Sequence, residues 1–306
     1  MARGPQRSSL YEERARTTTC AGAAPALSLL LLLIMVGAPA AVPTTLGVMT
    51  FNIRTANTSD GDNAWRHRKT LVAETIERFG PDVAGLQEVI HEQIEYLAAS
   101  LPDYRWLGVD RGLNGGEGLS EYTPIFYRHA ELSPIESGNF WLSATPDGPT
   151  GTGWRRRVSR IVTWARFYHR RSGRLVFVFN THLTLRRGPR QVESARMITA
   201  RVSALPPGSA VFVTGDFNAV AEASDTWQAA TAEGLRDAWV VADERRGPPR
   251  TSNDFRPPEE AHEGRIDWIL VAGPLGVRSV ETILHNADGR YPSDHYPVMA
   301  RVEIRE

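Results

Sequence analysis

The sequence predicts an α/β protein in which short apolar strands are interspersed with a few amphipathic helices. Three observations lead there. Short apolar runs recur along the chain and end on Gly, Asn, Asp or His, the pattern of buried strands meeting their turns. Trp65 to Phe79, Ile90 to Leu101 and Arg190 to Ala204 instead carry their apolar residues at helical spacing. With 306 residues, 42% of them hydrophobic, the chain has enough material for a sizeable core.

Residues 1–16 are polar and net basic, and Ala26 to Val42 is apolar around Leu29–Met35. Ala38-Pro39-Ala40 is a small-x-small site, so residues 1–40 read as a secretory signal peptide cut after Ala40. Pro25 and Pro39 interrupt the run, which is short for a span, and this favours cleavage over an uncleaved anchor. Residues 41–306 then form one exported domain with no membrane span. Cys20, the one cysteine, precedes the apolar core, so no intramolecular disulfide is available.

Net charge is zero, and residues 1–40 hold four Arg and two Glu, which leaves 31 basic and 33 acidic residues beyond them. Charge alone gives no support for non-specific nucleic-acid binding. Lys69 is the one lysine against 34 arginines, a bias better ascribed to genome composition than to guanidinium chemistry.

In chain order, Leu46 to Phe51 reads as a strand ended by Asn52, and residues 55–64 as a polar loop. The helix Trp65 to Phe79 turns Leu71, Val72, Thr75, Ile76 and Phe79 to one face, and Gly80-Pro81 stops it. Asp82 to Gln87 is the next strand, with Glu88 at its end. A short helix runs from Ile90 to Leu101. Tyr104 to Gly108 and Thr123 to Tyr127 are strands on either side of a Gly-rich stretch, and Glu121 stands just ahead of the second. Residues 138–157, with Phe140, Trp141, Trp154 and Arg155 to Arg157, read as a long irregular loop suited to binding.

Ile161 to Tyr168 and Arg174 to Phe179 form a hairpin about Arg171-Ser172-Gly173, and its second strand runs into Asn180-Thr181-His182. After the helix Arg190 to Ala204, the strand Ser209 to Val213 delivers Asp216 and Asn218, which share a face if the chain stays extended. Ala219 to Glu233 reads as mostly helical. Arg265 to Val271 is a strand with Asp267 inside it, and a buried acid there demands a partner. Asp294-His295 lies in a Pro-bracketed turn before the last strand, Val298 to Ile304.

Polar residues suited to catalysis thus stand at strand ends: Asn52, Glu88, His182, Asp216 with Asn218, and Asp294 with His295. Gathered on one side of packed sheets, they make an acidic pocket with two histidines. Carboxylate and amide oxygens suit Mg²⁺ or Mn²⁺, and the lack of cysteine beyond residue 40 and of a His-x-x-x-His pair argues against zinc.

Thr50-Phe51-Asn52, Gln87-Glu88, Asn180-Thr181-His182, Gly215-Asp216-Phe217-Asn218, Arg265-Ile266-Asp267 and Ser293-Asp294-His295 occur in the order found in the endonuclease/exonuclease/phosphatase superfamily, which the chain resembles over about residues 46–304. Gly138 to Ser143 and the short loops look like a bacterial branch near its deadenylase-like group. The resemblance implies a deoxyribonuclease-I-like, two-layer β-sandwich flanked by helices. It implies metal-dependent phosphoester hydrolysis, with Glu88, Asn52 and Asp294 holding the metal. Asp267 would orient His295, Glu121 would orient His182, and Asp216 and Asn218 would position the attacking water and a phosphate oxygen. The base is Asp216 or His295. Ile53-Arg54 after Asn52 departs from members with an acid there and leaves the number of ions open.

Such chemistry needs a cation on the phosphoryl oxygens, a base for water and donors to the charge that builds, here His182 and Asn218. The leading expectation is an exported nuclease that cleaves DNA or RNA, with Trp141 stacking on a base and Arg160 tracking the backbone. The competing expectations are hydrolysis of a lipid headgroup or inositol phosphate, and a binding module that has lost catalysis. Nothing in the sequence points to an obligate protein partner.

Overall fold

The computed structural model describes residues 44–112, 120–147, 160–262 and 264–305. The signal-peptide segment, Trp154 and Arg155 to Arg157 lie outside the described residues. In chain order the elements are β1 (Thr45–Asn52), α1 (Trp65–Phe79), β2 (Val83–Gln87), α2 (His91–Ser100), β3 (Tyr104–Leu107), β4 (Ile125–Arg128), β5 (Leu132–Trp141), β6 (Ile161–His169) and β7 (Arg174–His182). There follow α3 (Pro189–Ser203), β8 (Ala210–Asp216), α4 (Asp225–Ala230), β9 (Arg236–Asp237), α5 (Ala238–Val241), β10 (Glu244–Arg246), β11 (Asp267–Ala272), β12 (Leu275–Thr282) and β13 (Val298–Ile304).

The strands build two mixed sheets, one of seven in the order β10-β12-β13-β1-β2-β4-β3 and one of six in the order β5-β6-β7-β8-β11-β9. Side chains alternate between the faces of a strand, and both faces of the central strands are covered. In β1, Leu46 and Val48 enter the core between the sheets, whereas Met49 and Phe51 pack under α1 and α2. In β8, Ala210 and Phe212 face the other sheet, whereas Val211 and Val213 lie under α3 and α4. Burial on both sides is why these strands read as unbroken apolar runs. The expected two-layer sandwich flanked by helices is the observed architecture.

Along the inner faces the chemistry changes at one end. Thr50 and Asn52 continue the Leu46 and Val48 row of β1, and Gly85 and Gln87 continue Val83 of β2. Asn180 and His182 continue Val176 and Val178 of β7, and Thr214 and Asp216 continue Ala210 and Phe212 of β8. This polar end is cross-linked. Gln87 Nε2 donates to Thr50 Oγ1 (3.1 Å) and to Asn180 Oδ1 (2.7 Å) in the facing sheet. Asn180 Nδ2 donates back to Leu86 O (2.8 Å) and Pro124 O (2.9 Å). Gly85 is required there, because a Cβ would lie 2.1 Å from Thr214 Oγ1 and 2.5 Å from Asn180 Oδ1.

Several elements differ from the sequence reading. The polar loop after β1 contains 3-10 turns over Thr58–Asn63, capped by the Asn57 side chain. Residues 138–141 are not irregular but finish β5. The helix expected over Ala219 to Glu233 shrinks to Asp225–Ala230, with Ser224 as its N-cap. Asn218 (φ 51°) and Glu222 (φ 64°) turn the chain into the left-handed region first, which breaks any helix there. Asp267 is the first residue of β11, opposite Asp216 of β8, so it stands at the polar end and not in mid-strand.

Candidate active site

The carboxyl ends of β1, β2, β7 and β8, the start of β11 and the turn before β13 converge on this polar end. Asn52 Nδ2 donates to Glu88 Oε1 (3.1 Å) and across the sandwich to Asp216 Oδ2 (3.0 Å). Glu88 takes the left-handed conformation (φ 61°) and accepts from Thr55 N (3.3 Å) through Oε2. Asp216 is 1% exposed and its Oδ1 accepts from Asn218 N at 2.9 Å. Burial, together with the nearby Asp267 carboxylate, pushes Asp216 up to about 7.

His295 Nδ1 pairs with Asp267 Oδ2 at 2.9 Å, and its Nε2 lies 3.9 Å from Asp216 Oδ2. Burial works against the imidazolium, but the Asp267 carboxylate outweighs it and holds His295 well above its ordinary range. The dyad is wedged by the segment before β11. Thr251 Oγ1 accepts from Asp267 N (3.1 Å), Thr251 O accepts from Tyr296 N (2.7 Å), and Asp294 O accepts from Asn253 N (2.7 Å). Ser293 Oγ donates to Asn52 O at 2.7 Å, which ties the turn back to β1.

His182 has the opposite character. Its Nε2 lies 3.0 Å from Asn218 Nδ2 and 3.5 Å from Asp216 Oδ2. Burial, with the positive charge of Arg160, holds it well below its usual range, so it is neutral at pH 7. The two histidines of the site therefore carry different charges, set by their surroundings.

Oδ and Oε atoms of Glu88 and Asp216 and a ring nitrogen of His182 all lie within 4.8 Å of one another, as do donors from Asp216, Asp267 and His295. The set is rich in hard oxygens and fits a divalent cation such as Mg²⁺ or Mn²⁺. Asp294, raised by burial, sits with Oδ2 3.6 Å from Arg54 Nη1 and borders this set. Asn52 Oδ1 accepts from Arg54 N (3.0 Å), and its amide nitrogen bridges the two carboxylates. Glu88, Asp216 and His182 form the tighter donor group.

Three further expectations are corrected. Glu121 pairs with Arg111 Nη1 at 2.8 Å and not with His182, whose Nδ1 is buried without a hydrogen-bond partner among the described residues. Trp141 is 5% exposed, packed at the end of β5 with Nε1 donating to Arg111 O (2.9 Å), so its ring is not free to stack on a base. Asn218 Nδ2 is engaged by Leu183 O (3.0 Å) as well as His182, so both of its N–H groups are already used.

Arg160 stays at the rim, where Nη1 is buried without a hydrogen-bond partner among the described residues. Arg111 had escaped notice within the Gly-rich stretch. It shares a neighbourhood with Arg160, and both act on His182. In a chain so rich in arginine, no local signal set it apart.

Comparison with known proteins agrees with this arrangement. The sequence model of the Endonuclease/Exonuclease/phosphatase family matches residues 49–295. The chain belongs to this family. A family member of solved structure from Bacteroides vulgatus is 34% identical, with 86% of this chain and 100% of that one covered and a TM-score of 0.79. The mannosyl-6-phosphatase Bt3783 of Bacteroides thetaiotaomicron is 31% identical, with 84% and 99% covered and a TM-score of 0.77. Nocturnin of Drosophila melanogaster is 29% identical over 171 residues, which are 51% of this chain and 24% of that protein. The chain thus spans about a quarter of that relative's length. The matched residues of the family run from Met49 in β1 to His295 and so enclose every residue of the site.

Proposed function

We propose that the protein is an exported phosphoesterase, dependent on Mg²⁺ or Mn²⁺, that hydrolyses the phosphate ester of a small polar compound such as a sugar phosphate. The observation that carries the hydrolytic reading is the Asp267–His295–Asp216 line, with contacts of 2.9 and 3.9 Å, beside the cation donors Glu88, Asp216 and His182. The similarity to a mannosyl-6-phosphatase over nearly the whole domain supports the substrate class. Phe140 and Trp141, two of the aromatics on which the nucleic-acid reading leaned, are buried.

The cation, held by Glu88 and Asp216, would supply positive charge to the phosphoryl oxygens. The residues do the rest. Asp267 fixes the Nδ1 proton of His295 and leaves Nε2 facing Asp216. A water lodged between Nε2 and Oδ2 loses its proton to this pair as it attacks phosphorus, and the leaving alkoxide recovers a proton from the site. Asp216 Oδ2 and His295 Nε2, 3.9 Å apart, leave room for that water between them. Arg160, whose buried Nη1 has no acceptor among the described residues, together with Arg111 offers donors to the phosphate's remaining oxygens.

The test is a substrate panel with the purified protein and Mg²⁺, Mn²⁺ or EDTA: mannose 6-phosphate, bis(p-nitrophenyl) phosphate, single-stranded RNA, plasmid DNA, sphingomyelin and an inositol polyphosphate. Metal-dependent release of inorganic phosphate from the sugar ester at the highest kcat/KM supports the proposal. Preferential cleavage of RNA or DNA would replace it with a nuclease.

A further inference from the structure

Arg68 of α1 is 1% exposed, and among the described residues it has no carboxylate within ion-pair distance. Its donors all go to backbone carbonyls. Nη1 donates to Ile53 O and to Pro292 O (3.0 Å). Nη2 donates to Arg54 O (2.7 Å) and Thr55 O (3.3 Å), and Nε to Asn63 O (2.8 Å). A guanidinium has five N–H bonds in a fixed planar fork, and here each meets an acceptor.

Those acceptors, Asn63 O apart, belong to segments that adjoin the cation donors. Ile53 to Thr55 follows Asn52; Arg54 N holds Asn52 Oδ1 (3.0 Å) and Thr55 N holds Glu88 Oε2 (3.3 Å). Pro292 opens the turn that carries Asp294 and His295. The two ring faces lining the guanidinium are Trp65 at 5.3 Å and Phe255 at 5.7 Å. Phe255 is itself held in the left-handed conformation (φ 60°), directly after Asn253 and Asp254, whose N–H groups both donate to Asp294 O (2.7 and 3.2 Å). One side chain thus meets three backbone segments at the acidic end of the sandwich.

We propose that Arg68 is the positioning residue of the cation site: its fork fixes the spacing between the Asn52–Glu88 pair on one side and the Asp294–His295 turn on the other. This rests on the reading of Glu88, Asp216 and their neighbours as a cation site. Burying a guanidinium costs free energy, seen in the fall of Arg68 to about 10 through desolvation. A side chain needed only to fill space would be apolar. A lysine would keep the charge, but as a point charge it cannot span carbonyls on both segments.

The experiment compares wild type, Arg68→Lys and Arg68→Ala as full chains. Mn²⁺ binding is followed by electron paramagnetic resonance, and amide exchange at Thr55 and His295 is followed without metal. Arg68→Lys is expected to bind Mn²⁺ roughly tenfold to a hundredfold more weakly, with its far-UV spectrum retained and exchange at both amides faster. Added guanidinium, but not tetramethylammonium, is expected to recover affinity in Arg68→Ala. Wild-type affinity in Arg68→Lys, or unchanged protection of both amides, overturns the proposal. A wild type that binds no Mn²⁺ overturns it by way of the cation site itself, and the exchange data then separate that failure from a failure of the Arg68 clamp.

Discussion

Asp216 Oδ2 and His295 Nε2 face each other at 3.9 Å across the polar end of the sandwich, too far for a direct hydrogen bond and close enough for one water to touch both. The gap exists because β8 and β11 run antiparallel with Asp216 opposite Asp267, which holds the far side of the His295 ring at 2.9 Å. The carboxylate pair, the imidazole and the water position are therefore one unit set by strand register.

Asp267→Asn tests that unit. The variant can still fill the space but no longer offers His295 Nδ1–H a charged acceptor. The rate constant kcat on the best phosphate ester is expected to fall by about two to four orders of magnitude, with KM little changed. Turnover within a factor of about three of wild type would mean that His295 needs no orienting carboxylate.

Asp216 makes the ion-free protein pH-sensitive. Its folded value near 7 lies above the ordinary 3.8, so between those values the folded state keeps a proton that the unfolded chain has released. That stabilising contribution is full below pH 3.8 and is lost as pH rises through 7. Asp216→Asn, which carries no charge, is expected to unfold at higher urea than wild type at pH 8 in EDTA, by at most roughly 4 kcal/mol. The gap should close toward pH 4. Urea midpoints at three pH values check this, and a pH-independent gap would contradict it.

The brace beneath the site is structural. In Gly85→Ala the new Cβ would meet Thr214 Oγ1 at 2.1 Å; that hydroxyl donates to Asn180 Oδ1 (3.1 Å), which also accepts from Gln87 Nε2 of the facing sheet (2.7 Å). Thermal unfolding is expected to report a loss of roughly 2–4 kcal/mol. An unchanged Tm would show that the two sheets can separate locally without cost.

Much of this was legible in the sequence because the site is made from continuations of the inner-face rows. A period-two pattern that runs apolar and then ends on Asn52, His182 or Asp216 marks both the strand and its functional end. Asp267 was legible as a buried acid needing a partner, although the strand begins at it and does not flank it. Long-range placement was not legible. That Glu121 turns to Arg111, that Trp141 turns inward and that Thr251 wedges the dyad depend on loops, whose side-chain partners no local period specifies. The helix expected after Asn218 failed because two non-glycine residues adopt positive φ, which propensity does not anticipate. Arg68 was hidden by its setting: on a helix read for its apolar face, a buried arginine looks like a surface one.

The site as a cation-dependent hydrolase is tested most directly by release of inorganic phosphate from p-nitrophenyl phosphate, measured for wild type and His295→Ala with Mg²⁺, with Mn²⁺ and with EDTA. The arrangement of Glu88, Asp216, Asp267 and His295 predicts turnover with either ion, none in EDTA, and a loss of at least about a hundredfold in the variant. Equal turnover in EDTA, or a variant as active as wild type, would contradict it.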